Sequence, residues 1–268
     1  MKKILLLVSA LLLWSGQGWA VPVLQIGVSD GVGGYVDYET IGADDDTAFT
    51  NGYKLLVAGA YQKDDILQLG GQYTGTYIGK DWSDFGLPEA FNTHGAVLIA
   101  TVNNAEITGT SEIKVDGASH FFFSSTDSYY PNRHYPLNAE GSAFYFFDLG
   151  NFVRVQDFTV PNFETGDASS WAGEIKELII SITGFSSVHF DVMAVKTIGK
   201  FNNKSGLLTA FKSTALENNP GSHDVTWKFE EGDGGGGQSY PVVPEPGTFI
   251  LVGAGLVGLA LLRRKQGR

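Results

Sequence analysis

The sequence predicts an all-β protein: a β-sandwich or jelly-roll-like head at residues 21–231, between an N-terminal leader and a C-terminal apolar helix. Three observations predict it. Short runs rich in Val, Ile, Phe, Tyr and Thr alternate with clusters of Gly, Asn, Asp and Ser, the pattern of strands and turns. The 35 glycines fall largely between those runs, where positive φ is needed. Long amphipathic helices are missing, and SSWAGEIKELII (169–180) and KSGLLTAFKSTALE (204–217) are the best short helical candidates. No fixed-period repeat argues for a propeller or β-helix, which leaves one sandwich of about ten strands.

The chain opens MKKILLLVSALLLWSGQGWA. Lys2 and Lys3 precede an apolar run from Ile4 to Leu13, and Gly18 and Ala20 stand three and one residues before a cut after Ala20. That three-part layout is a secretory signal peptide over residues 1–20, with an apolar core too short to span a bilayer. A buried first helix of a soluble domain is the competing reading.

The strand runs follow in order. They are VPVLQIGV (21–28), YKLLVAGAY (53–61), LQLGGQYTGTYI (67–78), AVLIATV (96–102), HFFFSS (120–125), SAFYFFDL (142–149), FVRVQDFTV (152–160), ELIISITG (177–184), VHFDVMAV (188–195) and DVTWKF (224–229). In FVRVQDFTV, Phe152, Arg154, Gln156 and Phe158 fall on one side and Val153, Val155, Asp157 and Thr159 on the other, so either face suits burial. The chain has no cysteine, so the head relies on packing alone, and a thiol nucleophile and a lipid-modified cysteine are both excluded.

Charge narrows the partners. Of 18 Lys and Arg, two lie in the leader and four after residue 244; of 29 Asp and Glu, only Glu245 lies in either end. The middle keeps 12 basic against 28 acidic residues, a net of −16. Such a surface repels phosphate backbones and anionic lipid, so nucleic acid is not an expected partner. It favours solubility and attracts divalent cations.

Candidate chemistry in the head is sparse. His94, His120, His134, His189 and His223 are scattered without metal-ligand spacing, and structural roles suit them best. There is no G-x-S-x-G, P-loop or dinucleotide fingerprint. Glycosidase carboxylate pairs meet only in three dimensions, so the sequence names none. In GADDDTAFTNG (42–52), Asp44, Asp45 and Asp46 with Asn51 offer hard oxygens to calcium, outside the EF-hand pattern, or form a solvated turn. Trp82, Trp171 and Trp227, with Tyr129, Tyr130, Arg133 and Tyr135 in SYYPNRHYP, offer aromatic faces to a sugar or pack as core.

Residues 232–243, GDGGGGQSYPVV, have little to pack and read as a flexible tether with an end-to-end distance of roughly 20 Å. Residues 247–262 are uncharged and apolar; as a helix they reach about 24 Å, short of the roughly 30 Å hydrocarbon layer. Arg263, Arg264 and Lys265 end the span, can snorkel, and hold the C-terminus in the cytoplasm, so the head faces outward. Ala254 and Gly258 form a small-xxx-small pair that admits another helix. Pro244 and Pro246 keep Glu245 in an extended segment beside the membrane, open to a protease-like site.

Val243-Pro244-Glu245-Pro246, a short apolar helix and Arg263-Arg264-Lys265, in that order, resemble the PEP-CTERM sorting signal over residues 244–268. The resemblance implies recognition by an exosortase, a polytopic membrane transpeptidase of Gram-negative bacteria, with cleavage near the motif and a link to exopolysaccharide and biofilm. The head, through VPVLQIGV, GGYVDYETI and LPEAFNTHG, is similar to the choice-of-anchor N group, which implies no activity.

These observations lead to one expectation and two rivals. The expectation is a non-enzymatic exported protein. A membrane helix holds it transiently, an exosortase then sorts it to the cell surface or matrix, and there it acts structurally or adhesively. The first rival is a calcium-assisted carbohydrate-binding or carbohydrate-active module. The second is a plain membrane-anchored periplasmic protein that keeps its tail.

Overall fold

A computed structural model of the 268-residue chain describes residues 21–29, 35–36, 40–43, 54–63, 65–75, 79–127, 129, 141–163, 171–220 and 224–229. All belong to one unit, Met1–Glu230. The leader, Asp44, Asp45, Asp46, Asn51, Tyr130, Arg133, Tyr135, the tether and residues 244–268 lie outside the described residues, as do His134 and His223.

The described residues are all-β. In chain order the strands are β1 (Leu24–Ser29), β2 (Tyr35–Val36), β3 (Thr40–Ala43), β4 (Leu55–Ala60), β5 (Ile66–Gly70), β6 (Ala96–Asn103), β7 (Glu112–Val115) and β8 (Phe122–Ser124). Then come β9 (Ser142–Gly150), β10 (Val155–Thr159), β11 (Ala172–Leu178), β12 (Ile180–Thr183), β13 (Ser187–Phe201), β14 (Leu208–Asn218) and β15 (Val225–Phe229). Helical structure among the described residues is limited to 3-10 turns at Ser83–Phe85, Glu89–Phe91 and Asn104–Glu106.

One sheet has the order β10-β11-β4-β1-β2 and a second has β3-β15-β13-β6-β9-β8; β7 and β12 make a small third sheet. All the strand pairs are antiparallel except β3 with β15. The long β13 organises the second sheet. Its first half pairs with β15 and β6, and its second half takes β14 and β5.

Alternation explains how the sheets share one core. Leu24, Ile26 and Val28 of β1 and Leu55 and Val57 of β4 join a single apolar cluster with Leu98 and Ala100 of β6 and Phe190, Val192 and Ala194 of β13. The intervening residues are buried too, under separate covers. On the first sheet, Leu56, Ala58 and Ala60 lie beneath Val160 and Phe163. On the second, Val97, Ile99, Met193 and Val195 lie beneath Trp82, Leu87 and Phe91. Strands covered on both faces read as continuous apolar runs, which is why LLVAGA and AVLIATV lack a polar face. Gln25, fully buried, ties down the first cover: its Nε2 donates to the Pro161 carbonyl at 2.6 Å and its Oε1 accepts the Phe163 N–H at 3.0 Å.

The structure departs from the sequence expectation at the helical candidates and at one strand. Ala172–Leu178, inside the first helical candidate, is β11, and Leu208–Asn218, within and just beyond the second, is β14. Each is held by a long ladder to a distant strand, β4 and β13 respectively, and that pairing overrides local helix preference. FVRVQDFTV buries neither face. Phe152 and Val160 are buried at its two ends, while all five residues of β10 between them are exposed on a sheet edge.

Candidate functional site

The described residues contain one group of three or more metal-ligating side chains close enough to share an ion: His189, Asp191 and Asp224. Strand geometry assembles it. His189 and Asp191, two apart on β13, share the face that also carries Met193 and Val195. The β13–β15 ladder pairs His189 with Thr226 and Phe190 with Val225, so Asp224, one residue before β15, comes opposite Asp191.

The ring of His189 is clamped from both sides. Its Nδ1 lies 2.7 Å from the Thr226 Oγ1. Its Nε2 meets the Asp191 Oδ2 at 3.2 Å and the Asp224 Oδ2 at 3.6 Å. The other Asp191 oxygen accepts from the Asn219 Nδ2 at 3.0 Å, and the Asn219 Oδ1 accepts the Val192 N–H at 2.7 Å. Asp191 and Asn219 are fully buried, and His189 and Asp224 are 7% and 9% exposed.

Sequence reading passed over this cluster because it looked for ligands close together along the chain. The available signal was parity. VHFDVMAV carries two polar residues two apart in an otherwise apolar run, and DVTWKF repeats that spacing with Asp224 and Thr226.

The aromatic sugar-binding candidates separate. Trp82 and Trp227 are fully buried core, Trp82 edge-on beside Phe91 and Trp227 within the central cluster, so neither offers a face to a sugar. Trp171 is 37% exposed. Tyr129 packs against Phe91, Phe122 and Phe146.

A second polar centre lies where β6 and β9 meet. The Asp148 Oδ1 accepts the N–H groups of Gly95 and Gly150 at 2.9 and 2.8 Å, and its Oδ2 lies 3.1 Å from the His94 Nδ1. His94 stacks on Phe121 at 3.8 Å. Burial pushes the Asp148 carboxyl upward, but the Gly150 N–H, the His94 ring and the Gly95 N–H together outweigh it and hold the group below its ordinary 3.8. A depressed folded value stabilises the fold above the unfolded value and loses that contribution as pH falls through the folded one. Urea midpoints measured from about pH 5 to about pH 2 should therefore drop more steeply for the wild type than for Asp148→Asn. Parallel curves would show that Asp148 is not part of the acid response.

Beside Asp148 an open cleft of about 420 Å³ is lined by Asp116, Ser119, Phe121, Lys176 and Glu177, among others. Among the described residues no helix is long and apolar enough to cross a membrane, and residues 247–262 lie outside them.

No curated protein and no solved structure matches the chain. One family model does, over the tail alone, and its span takes in Pro244, Glu245 and Pro246 at one end and Arg263, Arg264 and Lys265 at the other. Residues 242–265 match the PEP-CTERM protein-sorting motif, which supports an exosortase-targeted surface protein made as an exported, membrane-anchored precursor.

Proposed function

We propose that the chain is an exported surface or extracellular-matrix protein whose tail an exosortase processes, and whose β-sandwich head serves a structural or adhesive role, with exopolysaccharide as its surroundings. The observation that carries this reading is the tripartite tail: a proline-bracketed glutamate, an apolar segment and a basic stop, matched over residues 242–265. Residues 1–20 supply the export leader, with the cut after Ala20. Residues 247–262 hold the precursor in the membrane, with Arg263, Arg264 and Lys265 on the cytoplasmic side. The head is read as non-catalytic, and the choice-of-anchor N type stays a resemblance of its sequence alone.

Intact-mass spectrometry of the protein from its host's surface and medium tests the reading. The expected mass lacks residues 1–20 and the segment following Pro244-Glu245-Pro246, and any excess mass reports the final anchor. Glu245→Ala should shift the pool toward unprocessed precursor. A wild-type mass that still contains Arg263 to Arg268 sinks the reading and leaves a simple anchored protein.

The carbohydrate alternative draws on the cleft that Asp116, Phe121, Asp148, Lys176 and Glu177 line. It predicts saturable glycan binding that Phe121→Ala abolishes. Asp44, Asp45 and Asp46 are the calcium candidates of that reading.

A further inference from the structure

We propose that His189, Asp191 and Asp224 bind one divalent first-row transition-metal ion, of the zinc class, and that this ion pins β15 to β13. The inference does not depend on the reading of the tail.

Four observations converge on it. The first is charge. Two aspartates, both at most 9% exposed, bring carboxylate oxygens to one His189 nitrogen at 3.2 and 3.6 Å and within 4.8 Å of each other, and buried like charges that close are costly unless neutralised. A divalent ion between them reverses the sign of that interaction.

The second is spacing. Ligand atoms about 2.1 Å from a tetrahedral zinc lie about 3.4 Å from one another. Here the His189 Nε2 is 3.2 and 3.6 Å from the two carboxylate oxygens, and all three ligand atoms lie within 4.8 Å of one another. The group is already gathered to the size of a coordination shell.

The third is the outer layer. A metal-bound imidazole is oriented by a partner on its far nitrogen, and a bound carboxylate by a hydrogen bond to its far oxygen. Thr226 does the first, at 2.7 Å, and Asn219 the second, at 3.0 Å. Asn219 is itself oriented by the Val192 N–H.

The fourth lies across the other ladder. Thr101 of β6 pairs with His189, so it stands on the same face. It is 3% exposed, and its hydroxyl oxygen has no hydrogen-bond partner among the described residues. Three protein ligands leave one position of a tetrahedron open, and a water held there would give that hydroxyl a neighbour.

The donor set selects the ion. One imidazole nitrogen and two carboxylate oxygens suit zinc, whereas calcium seeks six to eight oxygens. This site is also separate in sequence from Asp44, Asp45 and Asp46.

The experiment uses the full chain in detergent, stripped with EDTA and then titrated with zinc chloride, with calcium chloride as the contrast. Zinc at about 100-fold its Kd should raise Tm by roughly 5–10 °C, with one zinc retained per chain after desalting. Calcium should leave Tm unchanged. Asp224→Asn, a near-isosteric change at the rim, should weaken zinc binding at least tenfold. Cobalt(II) should give visible absorption bands that His189→Gln removes, a readout independent of melting. The proposal is overturned if zinc leaves the wild-type Tm unchanged, or if Asp224→Asn gains as much from zinc as the wild type does. Cobalt bands that survive His189→Gln would overturn it as well.

Discussion

Replacing Phe91 by alanine should lower the unfolding free energy by about 3–5 kcal/mol, the range for truncating a fully buried aromatic. Phe91 closes the 3-10 turn Glu89–Phe91 and is fully buried. Its ring centre lies 5.1 Å from those of Phe121 and Phe146, 5.2 Å from that of Phe122 and 6.0 Å from that of Trp82, all edge-on. Such pairs add to simple burial. The ring also covers Val97, Ile99, Met193 and Val195, so its removal opens a cavity over β6 and β13. Urea denaturation of the full chain reads the loss from the midpoint. Phe91→Leu, which keeps most of the volume, should recover part of it. A loss below about 1 kcal/mol would mean that the cover segment collapses into the gap and that Phe91 does not anchor it.

Gly95→Ala should cost about 3 kcal/mol, near the top of the range for overfilling a packed site. A Cβ on Gly95 would lie 2.1 Å from the carbonyl carbon of Gly150 and 2.4 Å from its Cα. Those are backbone atoms inside the β6–β9 ladder, where Ala96 pairs with Gly150, so no side chain can swing aside. Any movement also disturbs the carboxylate of Asp148, which accepts both the Gly95 and Gly150 N–H groups. Gly109 provides the contrast, because a Cβ there meets nothing within 4 Å. Gly109→Ala should change the midpoint by no more than about 0.5 kcal/mol equivalent. Equal effects of the two substitutions would refute the close approach of the two backbones.

The same contacts show what the sequence could and could not disclose. The apolar runs marked β1, β4, β6, β9, β13 and β15 because strand residues advertise themselves locally, in composition and alternation. Parity along VHFDVMAV, with His189 and Asp191 two apart, carried the signal for the two faces of β13 but went unread. What escaped depended on distant partners. Ala172–Leu178 has the look of a helix until β4 pairs with it, and β14 until β13 does. Within LQLGGQYTGTYI, β5 ends at Gly70, where a Cβ at the next residue would strike the His94 carbonyl oxygen at 2.1 Å; that crossing joins chain segments over twenty residues apart. The His189 cluster belongs to this second class. Each of its residues was visible, but their convergence rests on the β13–β15 register, and nothing local encodes that. The sorting motif was legible because its parts follow one another in sequence and need no fold to bring them together.

The place of β15 decides how the head would bear mechanical load. A pull on the C-terminal side enters the described fold through this last strand, Val225–Phe229. It is not at a sheet margin, since β13 flanks it on one side, antiparallel, and β3 on the other, parallel. A margin strand can be peeled from a single neighbour, one hydrogen bond at a time. Tearing β15 out means rupturing two ladders, one of them formed with residues 40–43 near the opposite end of the chain. Tension entering through β15 is thereby shared between β13 and β3, as in a strap stitched along both edges.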